Sequence, residues 1–180
     1  MSEKRTRWGW HRLDAEWADQ LVEDAGITRG DLVLDVGAGS GAITRPLVAR
    51  GARVVAFELH AARANSLKRE FARYHVTVVR ADGADARLPR RPFRVVANPP
   101  FAISVALLRR LTAPGSRLVR ADLIVPWHVA DRWVWGTPPG AGRWRADFEC
   151  TVGRTIPRSA FTPPPPSGVA ILVIERRPWR

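Results

Sequence analysis

Short apolar runs alternate with helical stretches along this sequence, and that alternation limits the fold more than any other feature. Runs rich in β-branched residues predict seven strands, at residues 31–37, 52–57, 75–80, 93–97, 118–125, 143–152 and 169–174. Helical patterns occupy three of the four intervals between the first five strands. Because strands that alternate with helices form parallel sheets, the chain is predicted to be an α/β protein with a mostly parallel seven-stranded sheet.

A glycine or a polar residue stands at the carboxyl end of each of the first four predicted strands. In chain order these residues are Gly37, Glu58, Asp82 and Asn98. Ligands of open parallel sheets bind in the crevice outside the carboxyl ends of the strands. The four residues are therefore expected to face one crevice, although Glu58 and Asp82 also suit a role as capping or solvated residues.

Residues 98–101, with the sequence Asn-Pro-Pro-Phe, end the fourth strand. Two prolines cannot continue a ladder of strand hydrogen bonds, so the chain leaves the sheet here. The residue before a proline is kept out of the α region, which holds Asn98 extended or in a turn. This arrangement suits a flat molecule held by its edge and its face. The alternative is a proline turn in which Asn98 satisfies the local backbone.

Residues 37–41, with the sequence Gly-Ala-Gly-Ser-Gly, link a strand to a helix and let the backbone approach a ligand closely. With Glu58 they also satisfy a dinucleotide-binding pattern, so the turn alone suits a nicotinamide or S-adenosylmethionine. Two observations favour S-adenosylmethionine. Asp35 places a carboxylate where a pyrophosphate would be repelled and a cationic ligand tolerated, and residues 98–101 have no role in hydride transfer.

The charge of the chain points to a polyanionic partner. Its 180 residues include 29 lysines and arginines against 17 acids, a net charge of +12, and Lys4 and Lys68 are the only lysines. Arginine forks fit phosphates well, so RNA or DNA is the leading partner. Genomic base composition is an alternative source of the arginines, and an anionic membrane surface is a weaker alternative.

The first twelve residues are predicted to form a basic N-terminal arm, and residues 13–180 a single domain. The arm is either a mobile tail or a nucleic-acid clamp in which rings and guanidinium groups stack on bases. The predicted RNA-binding residues are Arg5, Arg7, Trp8, Trp10 and Arg12.

Other residue types argue for a simple cytoplasmic protein. The single cysteine, Cys150, excludes an internal disulfide and a cysteine-based zinc site, and the four histidines show no metal-ligand spacing. No apolar run approaches the roughly 20 residues needed to span a bilayer. We expect a cytoplasmic monomer with no metal and no membrane partner.

Residues 35–41, Glu58, Asp82 and residues 98–101 resemble the successive motifs of N6-adenine methyltransferases. Over roughly residues 13–176 the chain is similar to the erythromycin-resistance methylases, which modify an adenine of large-subunit ribosomal RNA. It is also similar to the small-subunit rRNA adenine dimethyltransferases. The resemblance implies a Rossmann-like class I methyltransferase fold, here in a short form without the C-terminal helical domain, and S-adenosyl-L-methionine as the cofactor.

By this resemblance, Glu58 would bind the ribose hydroxyls of the cofactor, Asp82 its adenine amino group, and the glycine turn its methionine portion. The full set of expected cofactor contacts is His11, Leu13, Asp35, Gly37, Gly39, Gly41, Glu58, Leu59, Asp82, Gly83 and Asn98.

The resemblance also implies the catalytic residues Asn98, Pro99 and Phe101. The side-chain oxygen of Asn98 and the carbonyl of Pro99 would accept hydrogen bonds from the adenine amino group. Those bonds would free its lone pair, so that positioning drives the transfer. Phe101 would stack on the extruded base, and Phe161 would either cover its other face or belong to the core.

The sequence departs from the family pattern at its N-terminus. The usual Gln-Asn-Phe-Leu segment is replaced by Trp10, His11, Arg12 and Leu13, so His11 is the expected substitute in holding the cofactor's carboxylate. Without the helical domain, RNA binding would fall to the basic arm and to surface arginines.

The resulting prediction is an adenine N6-methyltransferase of 23S rRNA, or of the assembling large subunit, that confers macrolide-lincosamide-streptogramin-type resistance. The alternatives are an adenine methylase of small-subunit rRNA, another RNA or DNA, and a non-catalytic RNA-binding protein on the same fold.

Overall fold

The computed structural model describes residues 10–136, 138 and 141–178. Arg5, Arg7 and Trp8 of the predicted RNA-binding arm lie outside the described residues. Helices and strands alternate along most of the described chain. Their bounds are β1 Arg12–Leu13, α1 Ala15–Asp24, β2 Leu32–Val36, α2 Thr44–Ala49, β3 Arg53–Phe57, α3 Ala61–Glu70, β4 Val76–Val79, β5 Phe93–Ala97, α4 Ser104–Leu111, β6 Leu118–Pro126, α5 Trp127–Val134, α6 Ala141–Trp144, β7 Phe148–Val152, β8 Phe161–Thr162 and β9 Val169–Arg176.

Seven of these strands form one central sheet in the order β4-β3-β2-β5-β6-β9-β7. The first five strands in this order are parallel to one another, and β9 lies antiparallel between β6 and β7. The predicted mostly parallel seven-stranded sheet is confirmed. The carboxyl ends of β2, β3, β4 and β5 consequently meet at one edge of the sheet.

Helices cover both faces of the sheet. Successive side chains of a buried strand point to opposite faces, so each face presents apolar side chains for the helices to cover. In β2, Val33 packs in the core formed with α1, α2 and α3, whereas Leu34 packs in the core formed with α4, α5 and α6. Both side chains are at most 1% exposed. Full burial of each such side chain contributes about 1.5–3 kcal/mol to folding.

The prediction of one strand over residues 143–152 is wrong in its first half. Residues Ala141–Trp144 are helical, and β7 begins only at Phe148. The Trp144 ring stacks on the Trp133 ring of α5, with centroids 4.8 Å apart. This contact with another helix is absent from the local pattern on which the prediction rested.

A two-stranded ribbon fastens the start of the described chain over the carboxyl edge. In it, β1 pairs antiparallel with β8, with Leu13 opposite Phe161. The Asp14 amide donates to the Ala160 carbonyl at 2.9 Å and extends the pairing. The segment around Trp10 and His11 therefore lies over the edge where the parallel strands end.

Among the described residues, no helix has the length and apolar character required to cross a membrane. The same part of the chain contains no cluster of three or more His, Cys, Asp or Glu side chains suited to a metal ion.

Candidate active site

The glycine turn after β2 and the proline segment after β5 touch each other at the carboxyl edge. Gly37 has a φ of +77°, and a Cβ at this position would lie 2.8 Å from Pro100 Cδ and 3.4 Å from Pro99 Cα. A side chain here would be strained in its backbone and would collide with the proline ring. Only glycine allows the two segments to approach this closely.

Asn98 is half-buried, and a single hydrogen bond sets the orientation of its amide. Its Nδ2 donates to the His11 carbonyl at 2.7 Å. Since a carbonyl can only accept, the amide nitrogen must face His11, and the oxygen must point the other way. Within the described residues no hydrogen bond to Asn98 Oδ1 is found, and Asn98 lines a small cavity together with Gly37.

Aromatic rings lie next to Asn98. Phe101 starts a short 3-10 helix and is half-buried, with its ring centroid 5.4 Å from that of His11. The His11 ring is fixed in turn by a 2.8 Å hydrogen bond between its Nδ1 and the Pro163 carbonyl. Phe161 is only 1% exposed and belongs to the core beside Leu13. A base could reach Phe161 only if the ribbon moved, and its proposed stacking role stays a prediction.

Glu58, after β3, is buried and hydrogen-bonded through both oxygens. Oε2 accepts the Gly39 amide at 2.9 Å, and Oε1 accepts the His60 amide at 2.7 Å. Arg63 Nη2 also donates to Oε1 at 2.9 Å and forms an ion pair with it. The carboxylate is therefore rigidly placed next to the glycine turn.

Asp82 and Gly83 follow β4 at the same edge. Asp82 is half-buried, and its Oδ1 accepts the Ala84 amide at 2.9 Å. Gly83 is buried against Val36, which leaves no room for a Cβ. Leu59 is 42% exposed next to Glu58 and presents an apolar side chain to solvent.

Asp35 lies in β2 beneath the glycine turn and is 1% exposed. Burial raises the pKa of this carboxyl to about 7, a hydrogen bond from Thr44 opposes the rise, and the nearby charge of Glu58 adds to it. Thr44 Oγ1 donates to Asp35 Oδ2 at 2.6 Å. A cationic group bound nearby would favour the ionised form of Asp35.

Not every predicted cofactor residue faces the cleft. A Cβ on Gly41 would lie 3.1 Å from both Leu67 and Phe71 of the core, so this glycine serves the packing of the turn against α3. Leu13 is buried at 2% exposure, whereas Arg12 is exposed. The predicted cofactor residues that line a cavity of about 20 Å³ between the N-terminal segment and the glycine turn are His11, Leu13, Asp35, Gly37 and Asn98.

Trp10 is half-buried over the glycine turn. Its Nε1 lies 2.5 Å from the position that a Cβ on Gly39 would take. The Arg63 guanidinium lies 5.3 Å from the centroid of the Trp10 ring. Sequence reasoning did not single out Arg63. Its position in the first turn of the helix that follows Glu58 was the available signal.

The sheet order, the glycine turn after the first core strand and the helices on both faces define a Rossmann-like methyltransferase fold. The solved structure of the 23S rRNA methyltransferase ErmE has this fold. It is 26% identical to this chain, superposes with a TM-score of 0.79, and the match covers 93% of this chain and 70% of that one.

The family model for ribosomal RNA adenine dimethylases matches residues 1–180. The mycinamicin-resistance protein MyrB of Micromonospora griseorubida is 40% identical over 92% of this chain and 53% of its own length. An rRNA adenine N-6-methyltransferase of Corynebacterium diphtheriae is 36% identical over 80% of this chain and 57% of its own. This protein belongs to the ribosomal RNA adenine dimethylase family, and it spans little more than half the length of these two relatives.

A relative named for the small ribosomal subunit is also similar. The ribosomal RNA small subunit methyltransferase A of Thermosynechococcus vestitus is 34% identical over 100% of this chain and 72% of its own length. Family membership therefore leaves two ribosomal subunits as possible sources of the target.

Proposed function

We propose that this protein is an S-adenosylmethionine-dependent adenine N6-methyltransferase of 23S rRNA that confers macrolide-lincosamide-streptogramin-type resistance. The observation that carries the proposal is the amide of Asn98. Its nitrogen donates to the His11 carbonyl, which leaves its oxygen as an acceptor, and Asn98 borders the same small cavity as Gly37. The 40% identity to a mycinamicin-resistance protein favours the resistance assignment.

The residues at the edge fit S-adenosylmethionine by their chemistry. Glu58 offers carboxylate oxygens to ribose hydroxyls, and Asp82 offers an acceptor to an adenine amino group. Asp35 suits a neighbouring positive charge, and the close packing of Gly37 leaves backbone rather than side chain at the turn. His11, which lines the cavity beside Gly37, would hold the methionine carboxylate. When bound, the cofactor supplies an electrophilic methyl group.

The chain's own residues would activate and position the target base. An adenine amino group is a poor nucleophile because its lone pair is delocalised into the ring. Asn98 Oδ1 and the Pro99 carbonyl would accept its two N–H bonds, which localises the lone pair on nitrogen and stabilises the positive charge that develops there. Phe101 would hold the ring by stacking, after the base leaves its strand. The departing amino proton would pass to solvent.

Four arginines, three of them exposed, would provide a surface for the RNA backbone. An open groove of about 750 Å³ lies between the loop before β5 and the turn before β6, and Asp85 is its only acidic lining residue. Its arginines are Arg87, Arg90, Arg110 and Arg117. None of these four forms an ion pair with any residue that the structure describes. Unneutralised guanidinium groups attract phosphates.

Adenine methylation of small-subunit rRNA is the second candidate function, because a small-subunit methyltransferase aligns over the whole chain. Incubation of the purified protein with S-adenosylmethionine and each naked rRNA or subunit, followed by nucleoside mass spectrometry, separates the candidates. We expect N6-methylated adenine in 23S rRNA, with a matching primer-extension stop in cells that carry the gene. Methylation of small-subunit rRNA alone would establish the second candidate. Absence of cofactor binding in a calorimetric titration would favour a non-catalytic RNA-binding protein.

A further inference from the structure

Trp10 and Arg63 form a closed arrangement over the cleft assigned to the cofactor, and we call this pair the Trp10–Arg63 clip. The indole of Trp10 lies on Gly39, and the guanidinium of Arg63 lies 5.3 Å from the ring centroid. The same guanidinium holds Glu58 at 2.9 Å. The clip therefore joins the N-terminal segment, the glycine turn and the buried acid.

The clip uses hydrogen-bonding capacity that a ribose would need. A carboxylate has about four lone-pair positions. Three donors already occupy the oxygens of Glu58, namely the amides of Gly39 and His60 and the guanidinium of Arg63. Two ribose hydroxyls cannot be accommodated in good geometry unless one donor leaves. Arg63 is the only side chain of the three and the one that can leave without a change in the backbone.

Of the two clip residues, Trp10 also borders the small cavity beside Gly37 and Asn98 and limits its space. The cavity between the N-terminal segment and the glycine turn has a volume of about 20 Å³. Sites for small molecules and cofactors occupy about 300–1,000 Å³. Trp10 is the large side chain above the turn, and its displacement would open the cleft along Gly39.

Movement of Trp10 need not disturb the catalytic amide. The next residue, His11, is fixed by its ring to Pro163 and by its carbonyl to Asn98. The following residues pair with β8. A change in the backbone and rotamer at Trp10 alone can therefore open the cleft while the base-binding side keeps its geometry.

We propose that the Trp10–Arg63 clip closes the cofactor cleft, so that Trp10 and Arg63 determine cofactor affinity. This inference rests on the proposed function. The observed dissociation constant equals the intrinsic one divided by the fraction of open protein. Any change that weakens the clip raises that fraction and tightens binding.

The two halves of the clip oppose the cofactor in different ways. Trp10 acts by occupying space, so its removal affects charged and neutral cofactor forms equally. Arg63 also carries a positive charge at the acid proposed to bind the ribose, so its removal should favour the cationic S-adenosylmethionine over S-adenosylhomocysteine, whose sulfur is neutral. Measuring both ligands separates the steric contribution from the electrostatic one.

The test is calorimetric titration of the full chain with S-adenosylmethionine and S-adenosylhomocysteine. Trp10→Ala is expected to lower both dissociation constants about 3- to 10-fold. Arg63→Gln is expected to lower the constant for S-adenosylmethionine more than that for S-adenosylhomocysteine. Trp135→Ala is the matched control, since Trp135 is 78% exposed at the end of α5, and it should change neither constant. Thermal unfolding followed by circular dichroism verifies that each variant is folded.

The outcomes distinguish the clip from the proposed function. Unchanged or weaker binding in Trp10→Ala, with binding retained in the unsubstituted protein, would overturn the clip and make Trp10 a wall of the site. Binding that appears only when Trp10 or Arg63 is replaced would support the clip strongly. No binding in the unsubstituted protein and in both variants would instead refute the proposed function.

Discussion

Two halves of the sheet's carboxyl edge differ in how their hydrogen-bonding groups are occupied: the cofactor half around Glu58 and the glycine turn, and the base half around Asn98. On the cofactor half, Glu58 has donors on both oxygens and Trp10 lies on the glycine turn. On the side proposed to bind the base, Asn98 is fixed by one hydrogen bond to the His11 carbonyl, and the His11 ring lies 5.4 Å from the half-buried ring of Phe101. Under the two proposals above, the acceptors for the base are preorganised, whereas the cofactor half has to rearrange before it can bind.

The largest effect is expected on the base half, from Asn98→Ala. Loss of the acceptor should lower kcat/KM for methyl transfer by about 10³-fold, the scale of one preorganised hydrogen bond to developing charge. RNA affinity, measured by filter binding, should stay nearly unchanged. Asn65→Ala, on the exposed surface of α3, is the control and should keep full activity. An Asn98→Ala variant that keeps half its rate would remove Asn98 from the catalytic role.

The contact between the two halves is tested by Gly37→Ala. The variant adds a Cβ 2.8 Å from Pro100 Cδ at a φ of +77°, whereas Gly26→Ala adds one at +62° with nothing within 4 Å. Both variants carry backbone strain, so the difference between them isolates the contact. Gly37→Ala should lose about 1–3 kcal/mol more in the free energy of unfolding than Gly26→Ala. Equal losses in urea denaturation would show that Pro100 yields without cost.

The fold and the outline of the site were predictable from sequence because their signals are local. Each core strand is a short apolar run, and parallel topology brings Gly37, Glu58, Asp82 and Asn98 to one edge. The helix that ends at Trp144 was not predictable, since stacking on Trp133 stabilises it.

The position of Trp10 was not predictable either. The adjacent His11 is held by Pro163, 152 residues away in sequence, and β1 pairs with β8. No local pattern reports such a contact. The cation–π pair with Arg63 depends on the same long-range pairing.

The cofactor half should show a pH dependence that the base half lacks. The folded pKa of Asp35 is raised to about 7 by burial, and a cationic ligand prefers the ionised carboxyl. The affinity for S-adenosylmethionine should therefore increase up to about tenfold between pH 6 and pH 8. Asp35→Asn should bind more weakly and with a flat profile. An unchanged slope in Asp35→Asn would assign the titration to another group.

Protein stability should move in the opposite direction. Because the folded pKa of Asp35 lies above the unfolded value, its stabilising contribution is complete below about pH 4 and is lost as the pH rises through about 7. The unfolding free energy should therefore fall across this window relative to that of Asp35→Asn, which carries no titratable group there. Urea denaturation at several pH values measures the difference.

The smallest effect is expected away from this edge, at the groove that Arg87, Arg90, Arg110 and Arg117 line. Replacing the exposed Arg87 and Arg117 by glutamine should reduce the slope of log affinity for rRNA against log salt concentration by about 2. The exposed pair Arg69 and Arg73 on the α3 side is the control with the same change in charge. An equal loss in both double variants would mean that net charge, rather than this groove, attracts the RNA.

The most direct test of the central claim is a crystal structure with a bisubstrate analogue that joins the adenosine N6 to the amino-acid portion of the cofactor. We predict that the N6 nitrogen lies about 3 Å from Asn98 Oδ1, that the amino-acid portion lies along residues 37–41, and that Trp10 is displaced from Gly39. An analogue bound elsewhere, or with its N6 turned away from Asn98, would contradict the account.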